Sequence, residues 1–256
     1  MGTALVTGAT AGLGLEFAWQ LATARHDLVL VARDAARLEQ VAAQVRAAAG
    51  VRVEVLPADL SVPDDVARVA ARLAVTGAGP DDARPVGLLV NNAGFATAQH
   101  FVDGDLEVEL RAVDVMVRAV VELSHAAVTQ MTARGRGAVL NVASVAALTA
   151  GGTYAAAKAY VRSFTEGLAV ELAGTGVTAT VLCPGFTRTE FHDRAGLSMS
   201  SVPDAGWLDA PFVVAAALAD VRRGIVISTP SARYKAASAV LRVLPRSVVR
   251  AIGHYR

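Results

Sequence analysis

Tyr154 and Lys158 stand four positions apart in the stretch TYAAAKAY, residues 153–160. On a helix that spacing puts both side chains on one face. A phenol with an ordinary pKa of about 10 is a poor base at neutral pH. A neighbouring ammonium favours the phenolate and brings that pKa toward the working range, so the pair could give and take a proton at a substrate oxygen. The choice of lysine is unusual for this chain: of 24 basic residues only Lys158 and Lys235 are not arginine. An ammonium is a compact charge with three donors, which a planar guanidinium does not replace. Taken alone, a Tyr and a Lys at this spacing equally describe a surface pair.

A second group of residues points to a ligand. TALVTGATAGLGLEFAWQLA, which opens at Thr3, reads as a strand, a glycine-rich turn and a helix, the context a phosphate-binding turn requires. Gly8 permits the tight turn, and Gly12 and Gly14 let backbone and helix approach a pyrophosphate seated on free helix N–H groups. No Lys-Ser/Thr follows, so the turn is not that of a nucleoside-triphosphate P-loop. The next run, DLVLVARDAARL, ends in Ala32 and Arg33, where an NAD-binding chain would offer a carboxylate to the ribose 2′-hydroxyl. A guanidinium there can grip a 2′-phosphate, which favours NADP(H) over NAD(H). Two alternatives stay open: Arg33 caps a surface turn, or Asp34 faces the ribose.

The elements that must position these residues are legible as short apolar runs alternating with alanine-rich amphipathic stretches. Seven runs (TALVT, DLVLVA, VRVEVL, VGLLVNN, GAVLNVAS, GVTATVLCP and GIVIST) predict an α/β fold, a seven-stranded, mainly parallel sheet with helices on both faces. Residues 76–85 form the clearest loop, too short to be a domain linker, so one domain over 1–256 is expected.

Composition narrows the classes. The chain of 256 residues is 54% hydrophobic without an uninterrupted apolar run of about 18 residues, so no spanning helix is expected. The opening residues lack the pattern of a secretory signal, and the single Cys183 forms no internal disulfide, so a cytoplasmic location is expected. A net charge of +1 argues against general nucleic-acid binding, and no metal site is expected. No acidic residue follows Asp220, whereas residues 222–256 carry eight basic ones. The tail 231–256 reads as a solvated basic face over a core-facing stripe, with a membrane-surface or partner-binding helix as the alternative.

The ordered set of motifs resembles the short-chain dehydrogenase/reductases, oxidoreductases built on a Rossmann fold, over nearly the whole length. The stretch Thr7 to Gly14 looks like the family's cofactor turn, Asp59-Leu60 like its adenine-contacting pair, and Asn91-Asn92-Ala93-Gly94 like its fourth-strand motif. Ser144, Tyr154 and Lys158 fall at its catalytic serine and Y-x-x-x-K, and Pro184-Gly185 with Thr187 and Thr189 resembles its nicotinamide-side loop. The resemblance implies Ser144, Tyr154 and Lys158 as catalytic residues. It implies cofactor contacts from Gly8, Thr10, Gly12, Leu13, Gly14, Arg33, Asp59, Leu60, Asn91, Ala93, Gly94, Tyr154, Lys158, Pro184, Gly185, Thr187 and Thr189.

Two departures stand out. The interval from Ser144 to Tyr154 is about three residues shorter than the family's commonest spacing. Met116 falls where the family's active-site asparagine, thought to hold a water linking the lysine to solvent, normally stands. A methionine donates nothing and accepts weakly, which opens a second reading: a catalytically weak dinucleotide-binding regulator. Asp114 does not substitute, because two residues turn a helical side chain by about 200°. The leading expectation is an NADP(H)-dependent carbonyl reductase or alcohol dehydrogenase. Residues 186–222 would form the substrate lid: Phe186, Phe191, Leu197, Met199 and Trp207 supply apolar surface, and Arg188, His192 and Arg194 could meet an acidic group. An apolar ketone or 3-oxoacyl-like substrate and a homodimer or homotetramer are implied.

Overall fold

The computed structural model describes residues 2–77, 83–191 and 203–253. All seven expected runs are strands of one sheet: β1 (Thr3–Thr7), β2 (Asp27–Ala32), β3 (Val53–Pro57), β4 (Val86–Asn91), β5 (Gly137–Val142), β6 (Val177–Leu182) and β9 (Ile227–Ser228). Their order is β3-β2-β1-β4-β5-β6-β9, and every pairing is parallel. Helices cover both faces, which is why the central strands β1, β2 and β4 read as mainly apolar runs rather than as alternating ones.

The two faces separate residue by residue. Ala4 and Val6 of β1 pack with Phe17 and Leu21 of α1 (Gly12–Thr23), Leu38 of α2 (Ala35–Ala49) and Val213 of α7 (Ala210–Arg222). Leu5 between them packs on the other side with Val69 of α3 (Pro63–Leu73) and Leu123 of α5 (Ala119–Ala133). This is the period-two alternation of a strand expressed in two cores. The stretch 153–160 lies in α6 (Gly152–Glu171), whose Ala157 and Leu168 face the second of these cores.

The chain turns to β2 on one side of β1 and to β4 on the other, so a crevice opens beyond the strand C-termini at this switch of order. The glycine-rich turn and the Asn-Asn-Ala-Gly segment both end there. Before α5 the chain runs through α4 (Leu106–Val113) and a π-helical turn, Asp114–Arg118, closed by the N–H of Ala119 donating to the carbonyl of Asp114. Such turns are rare insertions into helices and often mark functional positions.

Two features go beyond the expected elements. Thr187–Arg188 and Leu208–Asp209 form β7 and β8, a separate two-stranded parallel ribbon. The basic tail folds as two helices, α8 (Ala232–Val243) and α9 (Arg246–Gly253). Its charges Arg233, Lys235, Arg242, Arg246 and Arg250 are exposed, while Tyr234, Ser238 and Val249 turn inward. Among the described residues no helix is long and apolar enough to cross a membrane. The lid positions His192, Arg194, Leu197 and Met199 lie outside the described residues.

Candidate active site

The glycine turn is built by close approach. Gly8 has φ +67°, and a Cβ on it would stand 2.9 Å from Asn92 Nδ2. On Gly14 a Cβ would fall 2.1 Å from the carbonyl oxygen of Gly8, so only glycine fits. Asn92 fastens the turn to β4: its Nδ2 donates to the carbonyl of Thr7 at 2.9 Å, and the Asn92 and Ala93 N–H groups donate to Thr7 Oγ1 at 2.9 and 3.0 Å. Helix α1 starts at Ala11 with no side-chain cap and no acidic residue in its first turn. Its first N–H groups therefore face the crevice without a competing side-chain acceptor, a fit for the pyrophosphate of a dinucleotide. Thr10 is half-buried in the turn, and Leu13 packs on the core behind it.

At the end of β2, Arg33 is exposed, whereas Asp34 is spent on α2: its side chain accepts from the Arg37 N–H at 2.9 Å as the N-cap. Asp59 follows β3. Burial opposes its ionisation, but hydrogen bonds from the N–H and hydroxyl of Ser61, with the nearby charges of Arg33 and Arg111, hold its carboxyl below the usual range. Leu60 beside it is buried in the core.

Across the crevice the structure brings Thr189 to the glycine turn, its Cβ 3.3 Å from where a Cβ on Gly12 would stand. Thr187 is buried and donates through Oγ1 to the carbonyl of Gly185 at 3.0 Å. The carbonyl of Pro184 accepts from Val145 N–H at 3.0 Å, which ties this loop to the residue after Ser144. Ser144 stands two residues past β5 and caps the 3₁₀ turn Val145–Leu148, its Oγ accepting from Ala146 N–H at 3.1 Å. The hydroxyl proton of Ser144 thus remains a donor. The shortened interval to Tyr154 is filled by that 3₁₀ turn and by Gly152 at φ +65°.

Tyr154 and Lys158 lie on one face of α6. Lys158 is buried, its Nζ 5.8 Å from the Tyr154 ring centroid and donating to the carbonyl of Val142 at 2.8 Å. Burial lowers its pKa from 10.5 to about 8. A Cβ on Gly94 would stand 3.3 Å from Lys158 Nζ and 3.2 Å from Met116 Sδ, so the three residues meet at one point. Met116 is fully buried at the centre of the π-helical turn, whereas Asp114 pairs with Arg118 at 3.4 Å. The Tyr154 ring also meets the ring of Phe191 at a tilt, centroids 5.7 Å apart.

Several further residues hold this arrangement, Asn91 of the expected cofactor contacts among them. Asn91 turns its side chain away from the crevice: Nδ2 donates to Ser124 Oγ at 3.2 Å and to Asn141 Oδ1 at 2.9 Å. Asn141 donates to Thr165 Oγ1 at 2.9 Å, and Thr165 to the carbonyl of Val161 at 2.6 Å. A buried polar chain thereby locks β4, β5 and α6 in register. Any contact of Asn91 with a cofactor falls to its backbone. The signal for Asn141 was a lone amide inside the apolar run AVLNV. Glu109 of α4 is buried and accepts from Gln99 Nε2 at 2.9 Å. Hydrogen bonds from Thr153, next to Tyr154, and from Gln99 hold its carboxyl below the usual range against burial. Cys183 is buried, which pushes its thiol up to about 11 and leaves it unreactive. Among the described residues no group of three or more His, Cys, Asp or Glu is placed to hold a metal ion.

Residues 2–198 match the family model described as short chain dehydrogenase. The chain is 31% identical over 208 residues to a ketoacyl reductase of Nostoc sp., covering 77% of this chain and 70% of the relative. Among solved structures, a short-chain dehydrogenase from Sphingobium yanoikuyae in complex with NADPH superposes with a TM-score of 0.83 at 36% identity, covering 94% of each chain. A bulky-bulky ketone specific alcohol dehydrogenase from Comamonas testosteroni gives 0.79 at 28% identity over 96% of each chain.

Proposed function

Because the chain belongs to the short-chain dehydrogenase family, we propose that it is an NADP(H)-dependent oxidoreductase interconverting a carbonyl and a secondary alcohol. The observation that carries this reading is the convergence of Tyr154, Lys158 and Gly94 beside a glycine turn that only glycines can form. The cofactor would be held by the glycine turn and the first N–H groups of α1 at its pyrophosphate, by the Asp59 region at its adenine, and by the loop from Pro184 to Thr189 at its nicotinamide end. When bound, it supplies or accepts the hydride.

The chain's own residues handle the proton. Ser144, with its oxygen already accepting from Ala146 N–H, donates its hydroxyl to the substrate oxygen and supports charge developing there. Tyr154 gives its phenolic proton to that oxygen in reduction and takes it back in oxidation. Lys158, anchored on the Val142 carbonyl, biases Tyr154 toward phenolate with its charge and keeps further donors for the cofactor's ribose.

NADP(H) is favoured because Asp34 spends an oxygen on capping α2, while Arg33 stays exposed near Asp59. An apolar ketone or 3-oxoacyl-like substrate is supported by Phe191 against Tyr154 and by Phe186 against Trp207, centroids 6.0 Å apart. The ketone and ketoacyl activities named for the two relatives point the same way. The same reading carries a cytoplasmic homodimer or homotetramer.

The test is a titration with NADPH and NADH, joined to a panel of ketones and 3-oxoacyl thioesters followed at the reduced nicotinamide absorbance. NADPH is expected to bind the more tightly, and turnover to vanish in Tyr154→Phe with NADPH binding kept. Tight binding of NADPH with no turnover of any panel member, and no effect of Tyr154→Phe, would support the second reading of a dinucleotide-binding regulator. Met116 buried against Gly94 and Lys158 favours that alternative. Met116→Asn in the same assay separates the two: a gain of turnover identifies the proton route as the defect.

A further inference from the structure

Tyr234, one of four tyrosines, sits in the first turn of α8, far along the chain from Gly185. Its ring nevertheless lies flat on that glycine: a Cβ on Gly185 would stand 2.0 to 2.3 Å from three ring carbons. Its hydroxyl joins two backbones. It accepts from Phe186 N–H at 3.0 Å and donates to the carbonyl of Gly206 at 2.7 Å. Phe186 immediately precedes β7, and Gly206 stands two residues before β8. The same two stems are joined directly by Leu208 N–H donating to the carbonyl of Phe186 at 2.8 Å.

The neighbouring residue works on one stem only. Arg233 donates to the carbonyls of Trp207, at 2.7 Å, and Ala205. Around them Trp207 packs on Phe186 and receives the Arg188 guanidinium 5.5 Å from its ring, and Arg188 pairs with Asp204 at 2.9 Å. The β7 and β8 stems are therefore held side by side on a base supplied by α8. A phenylalanine at 234 would fill the same space on Gly185. The hydroxyl adds only the bridge between the loop and the second stem, and without it a part-buried N–H and C=O both lose their partner.

We propose that Tyr234 is a positioning residue that fixes the loop carrying Pro184, Gly185 and Phe186 against the stem at residues 206–208, so that α8 sets the geometry of the crevice. This rests on the reading of that loop as the nicotinamide side. The device places control of the cleft in the basic C-terminal helix, remote from Tyr154 in sequence.

The experiment compares wild type, Tyr234→Phe and Arg233→Ala by amide hydrogen exchange of the full chain without cofactor, by NADPH titration, and by kcat and KM on a substrate from the panel. In Tyr234→Phe, exchange at residues 185–188 and 206–209 is expected to rise about tenfold, the factor carried by one hydrogen bond, with β1 to β5 unchanged. NADPH binding should weaken and KM rise while kcat changes less. Arg233→Ala should loosen 206–209 alone. Unchanged exchange at both stems in Tyr234→Phe, or a uniform rise across the whole sheet, overturns the proposal. So does equal loosening of both stems in Arg233→Ala. If wild type binds no NADPH, the functional reading fails while the exchange data still decide the role of Tyr234.

Discussion

Replacing Lys158 by methionine should make the protein without cofactor more stable at neutral pH while abolishing its activity. The reason is that Lys158 is buried, and burial moves its pKa from 10.5 to about 8. At about 1.4 kcal/mol per pKa unit, carrying the ammonium in the fold opposes stability by about 3 kcal/mol. Below pH 8 the lysine is charged in both folded and unfolded chains, and that opposition is fully present. Between pH 8 and 10.5 the folded lysine is neutral while the unfolded one still binds a proton, so wild-type stability rises with pH. Methionine removes the charge but leaves the Val142 carbonyl without the donor it has at 2.8 Å, a loss of about 1 to 2 kcal/mol. The variant should therefore be about 2 kcal/mol more stable at pH 7, roughly 5 °C in Tm for a chain of this size. Near pH 10 the advantage should be gone. Chemical denaturation of both proteins from pH 7 to 10 measures the difference directly. A variant less stable than wild type at pH 7, or a difference that does not change with pH, refutes the argument.

Gly14→Ala places a Cβ 2.1 Å from the carbonyl oxygen of Gly8 and 2.5 Å from Asn92 Nδ2; the turn must open, and NADPH titration should show binding weakened by at least about a hundredfold, since a backbone position that only glycine fits is lost. Asn141→Leu strands Asn91 and Thr165 without their shared partner and should lower stability by about 2 to 4 kcal/mol in urea denaturation. Arg33→Asp should weaken NADPH by about 10- to 100-fold and tighten NADH, the scale of one charge-assisted hydrogen bond; equal affinities before and after would remove Arg33 from the cofactor site.

The central strands β1, β2 and β4 were legible because each is buried almost throughout and carries a mainly apolar run, whereas the edge strand β3 shows V-E-V alternation with Glu54 exposed. Nearly the whole proposed site could also be named in advance, because its chemistry forces residue types: glycines where a Cβ would strike backbone, a phenol and an ammonium one helical turn apart. The family resemblance put Met116 at the position of the active-site asparagine, and the structure brings it together with Lys158 at Gly94. The sequence did not reveal the π-helical turn on which Met116 sits, since inserting one residue into a helix leaves no mark in composition.

Tertiary structure alone decided the rest. Ribbons of two residues, such as β7 and β8, are too short to show any period. That Asp34 caps α2 depends on the backbone at the end of β2, which the residue types there do not fix. Asn91 lies in a motif read as cofactor-binding, yet its amide turns inward because Asn141 and Ser124, far away in sequence, offer partners there. Tyr234 reads as one aromatic in a basic tail; its place on Gly185 exists only once α8 has packed. Local residue types fix what chemistry a chain can do, because bond geometry and charge are properties of side chains. Which of those side chains meet is settled by packing between distant segments, and no local pattern encodes it.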